Sequence, residues 1–300
     1  MPTGNRPFPP IVPPMSAPPT VLISSLGLMG GSLAAALTAA GWQVWLHHRR
    51  SEVAARAEEL GFGRQAPDPL AVLPGCDVAV VCTPVAVIAE TVRRFAAAGG
   101  SAVITDVGST KGGICADLAD LARSGRFIGS HPMAGSHLQG LEHARSDLYQ
   151  GALTLVTPLP ETPEGATARV ESLWTAVGSR VRRMDPLAHD QAVVAASHLP
   201  HVLASTAAAQ LDAAALPLAA TGFRDTTRVA GGSPELWSEI LIANRDAVRQ
   251  GVTAAQTHLA ALDAALARGD VAAVRAWLEH GHAARQRFEH AGARPTRDGQ

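Results

Sequence analysis

Lysine is almost missing from this 300-residue chain: of 25 basic Lys and Arg residues only Lys111 is a lysine, and no basic block forms anywhere. With a formal net charge of -1, the sequence has no means of neutralising a run of phosphates, so nucleic acid and anionic membrane surfaces are excluded as partners. A small-molecule partner is expected instead. No uninterrupted apolar run reaches the roughly 18 residues of a membrane span, and proline stands where a signal peptide needs an apolar core. A cytoplasmic protein is the expectation. Cysteine is also scarce. Cys76, Cys82 and Cys115 are odd in number and form no C-x-x-C pair, which excludes a disulfide framework and a thiolate zinc site. No metal is expected, and Cys82, inside DVAVVCTP, reads as a small buried apolar residue.

The composition that remains, 47% apolar and 17% charged, suits a packed protein with room for two domains. The Pro-rich residues 1–19 have no periodicity and are expected to be disordered, with Met15 an alternative start. From Thr20 short β-branched or apolar runs alternate with Ala-rich amphipathic stretches: VLIS, QVWLH, DVAVVC and AVITDV, each followed by a helix, then RFIGS, ALTLVTP and a run near Arg180 to Arg183. This alternation predicts an α/β fold, a doubly wound parallel sheet over residues 20–184. Residues 185–290 read as helix throughout, broken at PLAATGFRDTTRVAGGSP by Gly, Pro and Thr. These Ala-heavy helices carry few large side chains, so a monomer buries a thin core and a homodimer through them is expected. The tail, 291–300, reads as disordered.

The stretch SSLGLMGGS follows a strand and opens a helix, the context of a dinucleotide-binding turn. Gly27 lets backbone approach a pyrophosphate, Gly30 lets the helix pack on its strand, and Leu28 and Met29 supply amides between them. Ser25 stands where such turns carry glycine, and has to make the tight turn at a conformational cost if its φ is positive. About twenty residues on, where an NAD-binding turn places an acid against the ribose, the second strand ends in HHRRS. His48, Arg49, Arg50 and Ser51 offer a 2′-phosphate no repulsion and two guanidinium groups; a solvated basic turn is the other reading. NADP is favoured, NAD possible. Thr83 and Pro84 of CTP and Asp106 of DVGSTKG fall at the same strand ends, so they join the cofactor-binding candidates. DVGSTKG also brings Ser109, and SHPMAGS brings His131 and Ser136, to the carboxyl edge where open sheets bind ligands. In SHLPHVLA, the H-x-x-H pair His198 and His201 lacks a third ligand for a metal, and Pro200 reads as the first residue of a helix whose N-terminus would favour an anion. Arg224 and Asp225 read as a surface ion pair, and Arg228 as either solvated or ligand-binding.

Taken in order, GLMGGS, CTP, DVGSTKG, HPMAG, HDQAVVAASHLPH and GFRDTTRVAGGSPELW resemble the prephenate and arogenate dehydrogenases of tyrosine biosynthesis, from about Val21 to about Phe288. The resemblance implies a Rossmann domain followed by a helical dimerisation domain. It implies His131 as the catalytic residue, Ser109 as its hydrogen-bonding partner, Arg228 as holder of the ring carboxylate, and His201 as a substrate-side histidine of prephenate-using members. His48 stands where NAD-using members carry their Asp. Ser136 and His137 stand where some prephenate-specific members have Thr-Glu, so arogenate remains an alternative substrate. The activity implied is oxidative decarboxylation of prephenate to 4-hydroxyphenylpyruvate; feedback by tyrosine, if present, would act at the active site, since no sequence for a regulatory domain follows. A non-catalytic nucleotide sensor is the reading from another class, motivated by Ser25. A β-hydroxyacid dehydrogenase on the same fold is a third reading; it calls for a catalytic lysine on a long interdomain helix, and Lys111 is the one candidate.

Overall fold

The computed structural model describes residues 17–135 and 138–292. Val21, Leu22 and Ile23 in β1 (Thr20–Ser24) and all four residues of β4 (Val78–Val81) are buried on both faces, as central strands of a parallel sheet must be. With β2 (Gln43–His47), β3 (Arg64–Gln65), β5 (Val103–Asp106), β6 (Phe127–Pro132), β7 (Leu153–Thr157) and β8 (Arg180–Arg183) they form one eight-stranded sheet, in the order β3-β2-β1-β4-β5-β6-β7-β8. The chain lays β2 and β3 to one side of β1 and then places β4 on the other. The loops leaving β1 and β4 therefore diverge, and a crevice opens between them.

Helix Leu28–Ala39 packs on one face through Leu33 and Leu37. On the other face, helix Ile88–Ala97 turns Ile88, Val92 and Phe95 inward at i, i+4 and i+7. Two features differ from the sequence expectation. The two-residue β3 is too short for any periodicity to announce it. And β7 runs antiparallel to β6, with His131 opposite Leu155, because no crossover helix returns the chain to the starting edge.

After β8 every described element is helical. Asp185 Oδ1 accepts from the amides of Leu187 and Ala188, both at 2.9 Å, and starts helix Pro186–Val193. This helix does not end before Pro200. It passes through a π-turn, Val194–His198, where the Leu199 amide donates to Val194 O, and continues as Leu199–Ala209. The sequence expectation of a fresh helix start at Pro200 is thus corrected: the extra residue of the π-turn accommodates a proline that has no N–H and whose ring would crowd the preceding turn. By length and composition this stretch, Pro186–Ala209, with mean hydropathy 1.2 and 28% of its span-length window buried, passes for a membrane span. No uninterrupted apolar run had announced it; the stretch is carried by alanine and broken by buried His189, Asp190 and His198.

The break after it holds a short helix, Thr221–Thr227, and is followed by Pro234–Ala243, Arg245–Ala267 and Val271–Gly292. Of the 23 residues of Arg245–Ala267 only Val248 and Ala265 are buried, while Leu259, Leu266, Leu278 and Phe288 on the last two helices stay exposed. The core of this half is thin in the single chain. The last helix runs to Gly292, two residues past the expected limit; residues 1–16 and 293–300, expected to be disordered, lie outside the described residues, as does Met15.

Candidate active site

A cleft of about 760 Å³ opens at the crevice between β1 and β4 and is closed on its far side by the helical half. Ser25, Gly27, Leu28, Met29 and Gly30 line it from the first turn, Thr83 and Pro84 from the loop after β4, Ser109 after β5, His131 from β6, and Arg228 from the helical half. Ten of the residues singled out in the sequence therefore meet at one place.

The departure at Ser25 is real and strained. Its φ is +75°, and it is the one non-glycine residue with positive φ among the described residues. The turn keeps its form because the Ser25 amide donates to His47 O at 2.9 Å and because Gly30 stays bare: a Cβ there would run into the Ser25 carbonyl oxygen. Gly27 has nothing within 4 Å of where a Cβ would stand, so its open side faces the cleft. Helix Leu28–Ala39 begins there with no side-chain cap, which leaves its first amides to a ligand. Thr83 Oγ1 is buried without a partner on the opposite wall. An uncapped helix start, an open glycine and an orphaned hydroxyl together fit the pyrophosphate and nicotinamide portions of a dinucleotide.

Since a left-handed residue with a side chain costs about 1–2 kcal/mol and a glycine costs roughly 0.5–1 kcal/mol in chain entropy, Ser25→Gly should raise stability slightly. The expected gain in Tm is about 1–4 °C by thermal unfolding. A lower Tm would show that the serine is not strained.

A second cleft, about 620 Å³, continues past Gly27, and its charged and titratable lining is His48, Arg50, Glu52, Arg56 and Glu142. The His48 ring takes the amide of Arg50 on Nδ1 at 3.1 Å, so it closes the turn locally; burial and then the neighbouring arginines push its pKa down despite the Arg50 carbonyl. Arg49 and Ser51 do not line either cleft, and Arg56, which does, also pairs with Glu59 at 2.8 Å. Sequence reading missed Glu52 and Arg56, although their spacing on one helix after Ser51 was a usable signal.

Three further placements depart from expectation. Asp106 is fully buried and lines no cleft: its carboxylate pairs with Lys111 Nζ and accepts the amides of Gly108 at 2.8 Å and Ser130 at 3.1 Å. His201 lies behind the cleft wall, stacked on Trp237 at 3.6 Å between ring centroids, and its Nδ1 has no partner. Arg228 stands exposed at the mouth, and Arg224 pairs with Asp225 at 3.3 Å outside it. Ser136, and with it His137, lies outside the described residues.

Around His131 the structure assembles groups that were quoted as motif but given no role. His131 Nδ1 is 2.9 Å from His189 Nε2, and His189 Nδ1 is 2.8 Å from Asp190 Oδ1. Asp190 Oδ1 also accepts the Lys111 amide at 2.7 Å and Oδ2 the Gly112 amide at 2.8 Å. Burial works to raise the Asp190 carboxyl, but the bonds from His189, Lys111 and Gly112 outweigh it and hold the group below its ordinary value. Burial, followed by His189, Lys111 and His198, pushes His131 well below the usual histidine range. It is neutral at pH 7. His198, also on the cleft wall, is pushed down to about 4 mainly by burial. A neutral imidazole on the wall of a cleft that a serine and an arginine also line can accept a proton from a bound hydroxyl while the arginine holds an anionic group of the same ligand. Among the described residues no cluster of His, Cys, Asp or Glu suits a metal.

Family comparisons agree with this layout. The model for "Prephenate dehydrogenase, nucleotide-binding domain" matches residues 33–183, and that for "Prephenate dehydrogenase, dimerization domain" matches residues 185–280. A prephenate dehydrogenase of Lactococcus lactis subsp. cremoris is 31% identical over 289 residues, covering 92% of this chain and 79% of the relative. One of Bacillus subtilis is 33% identical over 242 residues, covering 76% of this chain; the match spans 65% of the relative's length, just under two thirds. The crystal structure of prephenate dehydrogenase from A. aeolicus in complex with hydroxyphenyl propionate and NAD+ superposes with a TM-score of 0.83 at 26% identity, covering 91% of this chain and 99% of that one.

Proposed function

The chain belongs to the prephenate dehydrogenase family, and from that premise we propose that it oxidatively decarboxylates prephenate to 4-hydroxyphenylpyruvate. The observation that carries this reading is the meeting of a buried neutral His131 with Ser109 and Arg228 on the wall of the cleft that the glycine turn opens.

In this reading residues 20–184 hold the nucleotide, and residues 185–290 cover the substrate and pair with a second copy through the exposed apolar side chains of the last two helices. The cytoplasm is the setting such a reaction implies. Gly27, the amides from Leu28 to Gly30, and Thr83 hold the dinucleotide, which when bound supplies the hydride acceptor. His131 takes the proton of the ring hydroxyl as the carbon bearing it is oxidised, and Ser109 orients that hydroxyl. Arg228 holds the ring carboxylate until the new carbonyl, conjugated to the carbon beneath it, lets CO₂ leave and the ring become aromatic. His201 acts from behind Trp237, by setting the ring that lines the cleft. Ser136 is kept as a substrate contact from the sequence motif.

The finer preference is for NADP. Arg50 and Arg56 bring two guanidinium groups to the second cleft, which Glu52 and Glu142 balance in formal charge, so the preference rests on His48, which supplies no carboxylate against a 2′-phosphate, and on the arginine beside it. The test is the purified protein assayed with prephenate and arogenate, each with NADP and NAD, beside His48→Asp. Prephenate with NADP should give the highest kcat/KM, and His48→Asp should move the preference toward NAD. Turnover of arogenate alone would replace the substrate. Cofactor-dependent stabilisation without turnover of either would leave a nucleotide sensor.

A further inference from the structure

We propose that Asp190, acting through His189, is a positioning residue that fixes which nitrogen of His131 carries the proton. The proposal rests on the reading of His131 as the proton acceptor. It starts from the one group in the chain of contacts whose role has no ambiguity: a carboxylate only accepts. His189 Nδ1, 2.8 Å from Asp190 Oδ1, must therefore donate. In a neutral His189 the other nitrogen, Nε2, is left as a lone pair. His131 Nδ1, 2.9 Å from it, must then be the donor of that bond. In neutral His131 the unprotonated nitrogen is accordingly Nε2, the one not spent on His189, and His131 lines the cleft. An acceptor is what a reacting hydroxyl needs there.

Asp190 is built for this task rather than merely placed nearby. Its second function is to bind the amides of Lys111 and Gly112 at 2.7 and 2.8 Å, which ties the carboxylate to the loop carrying Ser109. The helical half thus reaches across to both residues of the proposed chemistry with one side chain. The backbone of Asp190 is held as well, since Asn244 Nδ2 donates to its carbonyl at 2.8 Å. His189 is fully buried, so no water competes for either of its bonds.

The two halves of this role separate by mutation. In Asp190→Ala the acceptor that obliges His189 Nδ1 to donate is gone, so the proton of His131 is no longer confined to Nδ1 and part of the population carries it on Nε2, where it blocks acceptance; Asn would not serve, because its oxygen would stay where both His189 and the Lys111 amide donate. In His189→Leu the relay is cut, while both amide anchors of Asp190 remain. Each variant should lose at least about tenfold in kcat with KM for prephenate and for cofactor changed less than about threefold. The tautomer itself is read without turnover, by ¹⁵N NMR of imidazole-labelled protein at neutral pH. Wild-type His131 should show an unprotonated Nε2, and Asp190→Ala a mixture of the two tautomers. Should Asp190→Ala fail to fold, His189→Leu still decides. A kcat for His189→Leu within about threefold of wild type overturns the proposal. So does a wild-type His131 protonated on Nε2, the result if His189 were an imidazolium donating from both nitrogens. A protein that oxidises neither prephenate nor arogenate sinks the assigned activity instead, and leaves the tautomer measurement standing.

Discussion

His131→Asn is expected to lower kcat by about 10²–10⁴-fold while leaving the fold and cofactor binding intact. The size follows from what the imidazole alone supplies. The residue is buried in the cleft wall at the end of β6, its pKa depressed mainly by burial, so at neutral pH essentially every molecule presents an unprotonated acceptor. Asparagine fills a similar volume and keeps a hydrogen-bonding end toward His189, but no atom in it accepts a proton near neutrality. Binding contacts to the ground state are thus nearly conserved and only the proton transfer is lost. Steady-state kinetics together with a cofactor titration check this. A kcat unchanged from wild type would remove His131 from the chemistry.

Arg228→Ala is expected to raise KM for prephenate about tenfold or more with a smaller change in kcat. A charge-assisted contact between guanidinium and carboxylate contributes about 1.5–3 kcal/mol, and the exposure of Arg228 at the mouth of the cleft argues for the lower end of that range. Arg228→Lys should recover only part of the loss, because a single ammonium cannot replace a planar fork. Initial-rate kinetics over a wide prephenate range decide it. Equal KM values for wild type and Arg228→Ala would leave the arginine as a solvated side chain.

The alternation of VLIS, QVWLH, DVAVVC and AVITDV with amphipathic stretches was enough to read the parallel, doubly wound half, because both periods are local properties of the chain. Strand direction is not local, and nothing in ALTLVTP distinguishes a parallel from an antiparallel neighbour; the direction of β7 depends on how the long connection from β6 travels. The site divides in the same way. Ser25 was legible as a departure because the turn fixes a backbone shape that a side chain resists, and its φ of +75° is that resistance. Asp106, in contrast, was assigned to the cofactor from its place at a strand end, and turns inward because Lys111 five residues later is buried beside it. The contact of His131 with His189 spans 58 positions, and no spacing rule reaches that far. His201 was misplaced for a nearer reason: Pro200 reads as a helix start, and a helix that continues through it by means of a π-turn leaves no mark in composition.

That π-turn also sets how the segment tolerates change in length. A π-turn is a helix holding one residue more than its hydrogen bonds would otherwise count, so its removal is a deletion rather than a substitution. Taking one residue from Val194–His198 would let the turn close as ordinary α-helix, because the π-turn carries one residue more for nearly the same rotation and rise; the helix beyond would keep its place relative to Asp190. His201 would stay stacked on Trp237, whereas a second deletion would find no extra residue to absorb it and would rotate His201 by roughly 100° about the helix axis and draw it back by about 1.5 Å. The stretch is therefore metered with one residue to spare: the number of residues between Asp190 and His201 can fall by one without moving either end, but not by two.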